Sequence, residues 1–257
     1  DEPARSHKGI LDDICDVSTL KPVNLESHPR VMILLEAVSL LKEHFKDEVY
    51  VRGNCDQAPF SLACCIRTPQ EWMMDLMDED SEEETTELLE YCTDVSTQMI
   101  RLMAQTGADM VSNGDSPAGP SMISPEMYRR IALPYEKRCV DEAHKHGVPY
   151  TLHICGDTTT ILEDMIKTGA DAIELDYKTD INKVYDLCHD NTCFIGNIDP
   201  SGVLCLGSVD DVIRKTTELL TTYRNSPRFI LNAGCAIPRT TPKENLVAMI
   251  KTARNFS

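Results

Sequence analysis

The sequence contains no apolar run long enough to cross a bilayer, and no basic segment followed by an apolar one. These features would indicate a membrane span and a retained signal peptide, respectively. Basic residues are also few: 25 Lys and Arg stand against 42 Asp and Glu, which gives a net charge of -17. Nucleic acids and anionic membranes would repel such a surface. The composition therefore predicts a soluble protein that has neither as a partner.

The cysteines also argue against a small disulfide-rich domain. Their number, 11, is odd, and they are scattered through segments with helix and strand patterns. This distribution predicts a reducing, cytoplasmic location, in which a few thiols could bind a metal and the others are small buried hydrophobic residues.

Short apolar segments alternate with amphipathic helices along most of the chain, and this alternation is typical of an α/β fold with a parallel sheet. Capping-box patterns predict helix starts at Thr68, Thr160 and Thr241. The strands are predicted from β-branched and aromatic residues in segments too short for helices. They cover residues 48–53, 108–114, 150–155, 171–176, 193–198 and 229–234.

Two α/β architectures compete for this pattern. A doubly wound sheet would require a glycine-rich phosphate loop, and the sequence contains neither GxGxxG nor GxxxxGK[ST]. A barrel places polar residues at the carboxyl ends of many strands, and this favours the barrel. Such residues are Asn54, Asp56, Asn113, Asp115, Cys155, Asp157, Asp176, Asn197, Asp199 and Cys235.

The predicted fold is thus a (β/α)8 TIM-type barrel. Such a barrel has eight βα units, whereas six strands are found in this sequence. We therefore expect the first units of the barrel to be missing from this chain, with residues 1–47 forming a helical or irregular lead-in that includes a helix over 30–45. Because no linker interrupts the pattern, residues 1–257 are predicted to form one domain.

A histidine and two cysteines are candidate metal ligands. Side chains at positions i and i+2 of a strand point the same way, so His153 and Cys155 should project together. Cys235 ends the last predicted strand, and Gly234 before it allows a close backbone approach. Taken alone, the pair of His153 and Cys155 is more typical of core packing, and so is Cys235. Both should, however, lie at the same rim of a barrel. Together they favour a His/Cys/Cys zinc site.

Three protein ligands would leave one coordination position open, which is typical of a catalytic rather than a structural zinc site. A sulfur-rich zinc with an open position suits a thiol substrate held as thiolate at neutral pH. Two thiolate ligands would also lower the Lewis acidity of the ion, which favours methyl transfer over the activation of water.

Three stretches resemble the uroporphyrinogen decarboxylase superfamily, in its corrinoid-dependent methyltransferase branch. They are LHICGDTTTILEDMIKTGADAIELD (152–176), GNIDPSGVLCLGS (196–208) and FILNAGCAIPRTTPKENLVAMIKTAR (229–254), within a resemblance that covers residues 48–256. This branch includes methylcobamide:coenzyme M methyltransferases and bacterial O-demethylase methyltransferases. The resemblance implies a (β/α)8 barrel and a zinc motif that maps onto His153, Cys155 and Cys235.

The implied activity is zinc-dependent methyl transfer between a cobalamin-binding (corrinoid) protein and a small substrate. Two directions remain open: transfer to a thiol such as coenzyme M, or transfer from a methoxylated or methylamine-type donor to the corrinoid. The alternative is the decarboxylation of a porphyrinogen. Decarboxylases of the family lack the two cysteines and use N-terminal arginines, and this chain has no arginine-rich segment of that kind.

Other polar residues at the predicted rim have less specific roles. Asp115 and Glu174 are each predicted either as a fourth zinc ligand or as an acceptor that orients His153 from outside the coordination sphere. Asn113, Asn197 and Asp199 are predicted to face the substrate. Asp199, which precedes a proline, is equally suited to forming a turn.

Overall fold

The structure, a computed structural model, describes residues 8–256. Its chain falls into two compact units, one comprising residues up to 118 together with 126–150, and the other comprising 119–125 together with residues from 151 onward. Among residues 8–256, no helix is both long and apolar enough to cross a membrane.

The first unit combines two parallel strands with helices. Strand β1 (Arg52–Asn54) pairs with β2 (Met110–Gly114), so that Arg52 is opposite Met110. The rings of Phe60 and Trp72 pack edge to face, 5.7 Å between centroids, and both side chains are fully buried. Its helices are Pro29–Phe45 (α1), Pro59–Arg67 (α2), Pro69–Asp75 (α3), Glu82–Ala104 (α4), Pro125–Ile131 (α5) and Leu133–Lys145 (α6).

The second unit carries strands β3 (Tyr150–Ile154), β4 (Ala172–Leu175), β5 (Cys193–Ile198) and β6 (Phe229–Ala233). They pair in chain order, and every pairing is parallel. The carboxyl ends of parallel strands lie along the same edge of the sheet. Residues that end or follow these strands are therefore brought to one rim.

Helices and one π-helical turn follow these strands in the second unit. They are Leu162–Lys167 (α7) after β3, Ile181–Cys188 (α8) after β4, the π-helical turn Pro200–Cys205 and Val209–Thr222 (α9) after β5, and Lys243–Asn255 (α10) after β6. The central strand β4 is buried along its whole length, as expected for a parallel strand covered on both faces.

The predicted α/β fold of parallel strands in chain order is confirmed, with a strand in each of the six predicted segments. The first strand begins at Arg52 rather than at residue 48. The N–H of Val51 donates to the side chain of Asp109 (2.8 Å) instead of joining the ladder. The predicted helix over 30–45 is also present, as α1.

The capping predictions were right at one of three positions. Thr68 accepts a hydrogen bond from Glu71 N (3.3 Å) at the start of α3. Those at Thr160 and Thr241 were wrong, because α7 begins after Ile161 and α10 after Pro242, with no side-chain cap at either start. The predicted lead-in is helical in part: residues 8–47 carry α1 and short 3₁₀ turns. Residues 1–7 lie outside the described residues. That residues 1–257 form one domain stays a prediction.

Candidate metal centre

Three potential metal ligands converge at the carboxyl ends of the strands in the second unit. His153 lies near the end of β3, Cys155 follows β3 directly, and Cys235 lies just beyond β6. His153 Nε2 is 3.1 Å from Cys155 Sγ and 3.9 Å from Cys235 Sγ, and the two sulfurs are 3.5 Å apart. Within the part of the chain that the structure describes, this is the only group of His, Cys, Asp or Glu with the geometry of a metal site.

The sheet of the second unit must curve strongly to bring these side chains together. Strands β4 and β5 lie between β3 and β6. In a flat sheet, strands three positions apart would be separated by about 14 Å. The contact between Cys155 and Cys235 therefore indicates that the strand ends bend toward each other, with the cluster on the concave side.

The imidazole of His153 is held in the tautomer and orientation that a metal ligand needs. Its Nδ1 lies 2.9 Å from the backbone carbonyl oxygen of Glu174. Because a carbonyl can only accept, Nδ1 must carry the proton and donate it. The lone pair of Nε2 then points to the side of the ring that faces the two sulfurs, where a metal ion would accept it.

The donor set and its spacing fit zinc. Zinc bonds of about 2.3 Å to sulfur and about 2.0 Å to nitrogen place tetrahedral ligand atoms about 3.5–3.8 Å apart. The three separations in the cluster, 3.1, 3.5 and 3.9 Å, scatter around this range. All three residues are partly exposed, so a fourth ligand can reach the cluster from solvent.

The electrostatics of the cluster favour a bound cation. Burial opposes protonation of His153, but the contacts with Cys235 and Glu174 outweigh it and raise the pKa of the imidazole. The hydrogen bond with Cys155 raises the pKa of the Cys235 thiol to about 12, although His153 acts in the opposite direction. Two touching thiols resist ionisation together, whereas a coordinated divalent ion removes the proton from a thiol ligand.

Glu174 lies at the Nδ1 side of the imidazole, away from the sulfurs. Its Oε2 is 3.7 Å from His153 Nδ1, and its Oε1 accepts a hydrogen bond from Asn232 Nδ2 at 2.6 Å. The carboxylate thus lies beside an imidazole that the backbone carbonyl of the same residue already holds, and both predicted roles of the side chain, as a fourth ligand and as an acceptor that orients His153, stay predictions. No role was predicted for Asn232. The available signal was an amide inside an otherwise apolar strand, three positions before Cys235.

The first unit holds Asp115 and Asn113, whose side chains are buried and engaged in local contacts. Asp115 accepts a hydrogen bond from Ser61 N (2.7 Å) in the first turn of α2, and it also contacts Glu136. Asn113 Nδ2 donates to the carbonyl oxygen of Cys55. Asp115 therefore caps a helix here, and the predicted roles of both residues in ligand or substrate binding stay predictions.

Asn197 and Asp199 lie beside a cleft of about 420 Å³ in the second unit, which Tyr177 and Lys215 also line. Asn197 Nδ2 donates to the carbonyl oxygen of Asp176 at 3.2 Å. The carboxylate of Asp199 accepts from the N–H groups of the two residues that follow Pro200, at 2.9 and 2.8 Å. Asp199 thus forms a turn, as its position before a proline indicated, and substrate contacts of both residues stay predictions.

Gly234 sets the position of Cys235. A Cβ at residue 234 would lie only 2.7 Å from Tyr177 N and 3.1 Å from Leu175 O. We expect Gly234→Ala to push the chain away from β4, to displace Cys235 and to weaken zinc binding about 10- to 100-fold. Chelator competition measures this. Gly147→Ala introduces strain at a φ of 72° but no contact within 4 Å, so it controls for backbone strain alone, and an unchanged zinc affinity in Gly234→Ala would contradict the expectation.

Parallel βα units and a His/Cys/Cys cluster at the strand ends together define an α/β protein of barrel type with a candidate metal centre. A solved methyltransferase from Methanosarcina mazei has a similar fold: its TM-score is 0.79 at 23% sequence identity, over 91% of this chain and 70% of that one. At this identity, the likeness concerns the fold alone.

Sequence comparison assigns the family. The family model described as uroporphyrinogen decarboxylase (URO-D) matches residues 1–256, and the chain belongs to this family. It is similar to the methylcobamide:CoM methyltransferase MtbA of Methanosarcina acetivorans, at 34% identity over 97% of this chain and 70% of the relative. It is also similar to a uroporphyrinogen decarboxylase of Trichodesmium erythraeum, at 36% identity over 61% of this chain and 43% of that protein.

Proposed function

We propose that the chain is a zinc-dependent methyltransferase that moves a methyl group between a corrinoid protein and a small substrate bound at His153, Cys155 and Cys235. The observation that carries the proposal is the convergence of one imidazole nitrogen and two sulfurs within 4.8 Å of one another. A decarboxylase that works without a metal has no need for two touching thiols at a strand rim.

A thiol is the substrate that this donor set fits best. When bound, zinc would keep a thiol ionised at neutral pH and hold its sulfur at the open coordination position. The similarity to a protein named as a methylcobamide:CoM methyltransferase supports the same choice, because coenzyme M is a thiol. Of the two directions of transfer, we therefore propose the one from the corrinoid to the thiol.

The residues of the chain contribute ligands and orientation. Cys155 and Cys235 would supply negative charge, and His153 presents Nε2 because its Nδ1–H donates to the backbone carbonyl of Glu174. Methyl transfer also requires cobalt, carbon and sulfur in line, so that positioning accounts for much of the expected rate enhancement. The partial exposure of the cluster leaves it accessible to a corrinoid on a partner protein.

The uroporphyrinogen decarboxylase relative supports one alternative, the decarboxylation of a porphyrinogen. The two functions make opposite demands on the centre. The methyltransferase needs zinc at His153, whereas the decarboxylase needs neither the metal nor the thiols.

A methyl-transfer assay tests the proposal directly. Purified protein is mixed with methylcobalamin and coenzyme M, and loss of the methyl–cobalt absorbance is followed. We expect transfer with the unmodified chain and a decrease of roughly 10²-fold or more in His153→Ala, because the loss of a ligand removes several kcal/mol of stabilisation.

His146→Ala is the matched control, since His146 pairs with Glu142 at the end of α6 and is not in the cluster. Unchanged rate and zinc content in His153→Ala would contradict the proposal. Turnover of an octacarboxylate porphyrinogen by zinc-free protein would establish the decarboxylase instead.

A further inference from the structure

The peptide that follows Cys155 is held by the loop after β4. Gly156 N donates to Asp176 Oδ2 at 3.1 Å, and the Gly156 carbonyl oxygen accepts from Thr179 Oγ1 at 3.3 Å. Residues 176–179 therefore contact both polar groups of Gly156, the residue next to a candidate ligand.

Asp176 is itself fixed in place. Its Oδ1 accepts a hydrogen bond from Lys178 N at 3.1 Å, and the residue is only 8% exposed. Thr179, 2% exposed, also accepts a hydrogen bond from Thr158 N at 3.1 Å. The carboxylate of Asp176 and the hydroxyl of Thr179 are thus each tied to backbone groups on two sides, and together they support Gly156.

Gly156 has little else to restrain it. Its φ of 85° is a left-handed conformation that glycine adopts readily. A Cβ built at this position would meet no atom within 4 Å, so no packing holds the chain from that side. Without the hydrogen bond to Asp176, the peptide after Cys155 could rotate and carry Sγ away from the other ligands.

We propose that Asp176 is a positioning residue for Cys155, which it holds through Gly156 in the geometry that zinc requires. This inference rests on the proposed function. It differs from the role of Glu174, whose backbone carbonyl holds the imidazole: two residues of β4 and its following loop would fix different ligands. Partners that orient metal ligands change metal affinity by about 10- to 100-fold when they are removed.

The test compares zinc affinities by chelator competition in the unmodified chain, Asp176→Ala, Asp176→Asn and Asp180→Ala. Asp180 is four residues away, and its carboxylate caps α8 by accepting from Asn182 N at 2.9 Å. We expect Asp176→Ala to bind zinc about 10- to 100-fold more weakly and Asp180→Ala to bind it normally. Asp176→Asn keeps one acceptor oxygen for Gly156 N–H and should recover most of the affinity.

A second readout separates positioning from folding. Thermal unfolding of the metal-free variants should show one cooperative transition for Asp176→Ala and for Asp180→Ala, because each loses only hydrogen bonds from nearby backbone N–H groups. The ligand-field spectrum after Co²⁺ substitution should change only in Asp176→Ala.

Three results are decisive. Normal zinc affinity in Asp176→Ala would overturn the inference, and so would equal losses in the Ala and Asn variants, because charge rather than the hydrogen bond would then be responsible. If the unmodified chain itself does not bind zinc, the proposed function is wrong.

Discussion

Replacement of Cys235 by alanine is expected to remove most of the zinc from the purified protein, from about one ion per chain to a small fraction of that. Structural zinc sites contribute about 10–16 kcal/mol of binding free energy, so that the loss of one strong ligand should weaken affinity on the order of 10³-fold. The effect is expected to be large because Cys235 Sγ contacts both other ligands. Elemental analysis after gel filtration against a weak chelator measures it.

Cys205→Ala provides the matched control. Cys205 is also a partly exposed thiol of the second unit, and its Sγ contacts Thr240 at 3.4 Å rather than the cluster. Its removal should leave zinc content unchanged. The same stoichiometry in Cys235→Ala and in the unmodified chain would mean that zinc, if present, is bound elsewhere.

Stability is expected to fall as pH rises from about 4 to beyond 6, because of a buried acidic pair in the first unit. Asp115 and Glu136 are both fully buried and in contact, and the hydroxyl of Tyr128 donates to Glu136. Burial raises the pKa of Asp115 to about 6, and burial together with the charge of Asp115 raises the pKa of Glu136.

The direction of this pH dependence of stability follows from proton linkage. A carboxyl whose pKa is raised in the folded state binds more protons when folded than when unfolded, so raising the pH favours unfolding. The stability that such a carboxyl contributes is fully present below its pKa in the unfolded chain, about 4, and is lost as the pH rises through its pKa in the folded protein. For this pair we expect a loss on the order of 1–3 kcal/mol between pH 5 and pH 8.

Glu136→Gln should reduce this loss by at least half. Glutamine can accept from Tyr128 with its oxygen and donate to Asp115 with its amide, as a protonated glutamate would. Urea denaturation at pH 5 and pH 8, with chelator present to remove any metal contribution, measures the difference. Glu87→Gln, at an exposed position of α4, should behave like the unmodified chain, and an undiminished pH dependence in Glu136→Gln would count against the assignment.

The sequence was informative where function depends on local pattern. His153 and Cys155 are two residues apart in a strand, so their side chains share a face, and the structure places Nε2 and Sγ in contact. The third member, Cys235, was predicted from its position after another strand, since strand ends of a parallel sheet meet at one rim. These inferences need only the period of a strand and the topology of βα units.

Contacts between residues that are far apart in the chain could not be predicted from the sequence. Asp115 looked like a rim residue because it follows β2, yet it accepts from Ser61, 54 residues earlier in the chain. Asp176 was noted only as a polar strand ending. Its contact with Gly156 depends on how two loops pack together. Such pairings follow from three-dimensional packing, and no spacing or motif encodes them.

The curvature of the second unit has a consequence for the mechanics of folding. Cys155 and Cys235 are 80 residues apart, so an ion held between them would act as a cross-link and close a long loop. Closure of a loop of this size by a covalent bridge removes entropy from the unfolded chain worth about 4 kcal/mol. The same ion that serves chemistry would thereby clamp the first and last strands of the unit, and chelation should make the polypeptide between them easier for a protease to cut.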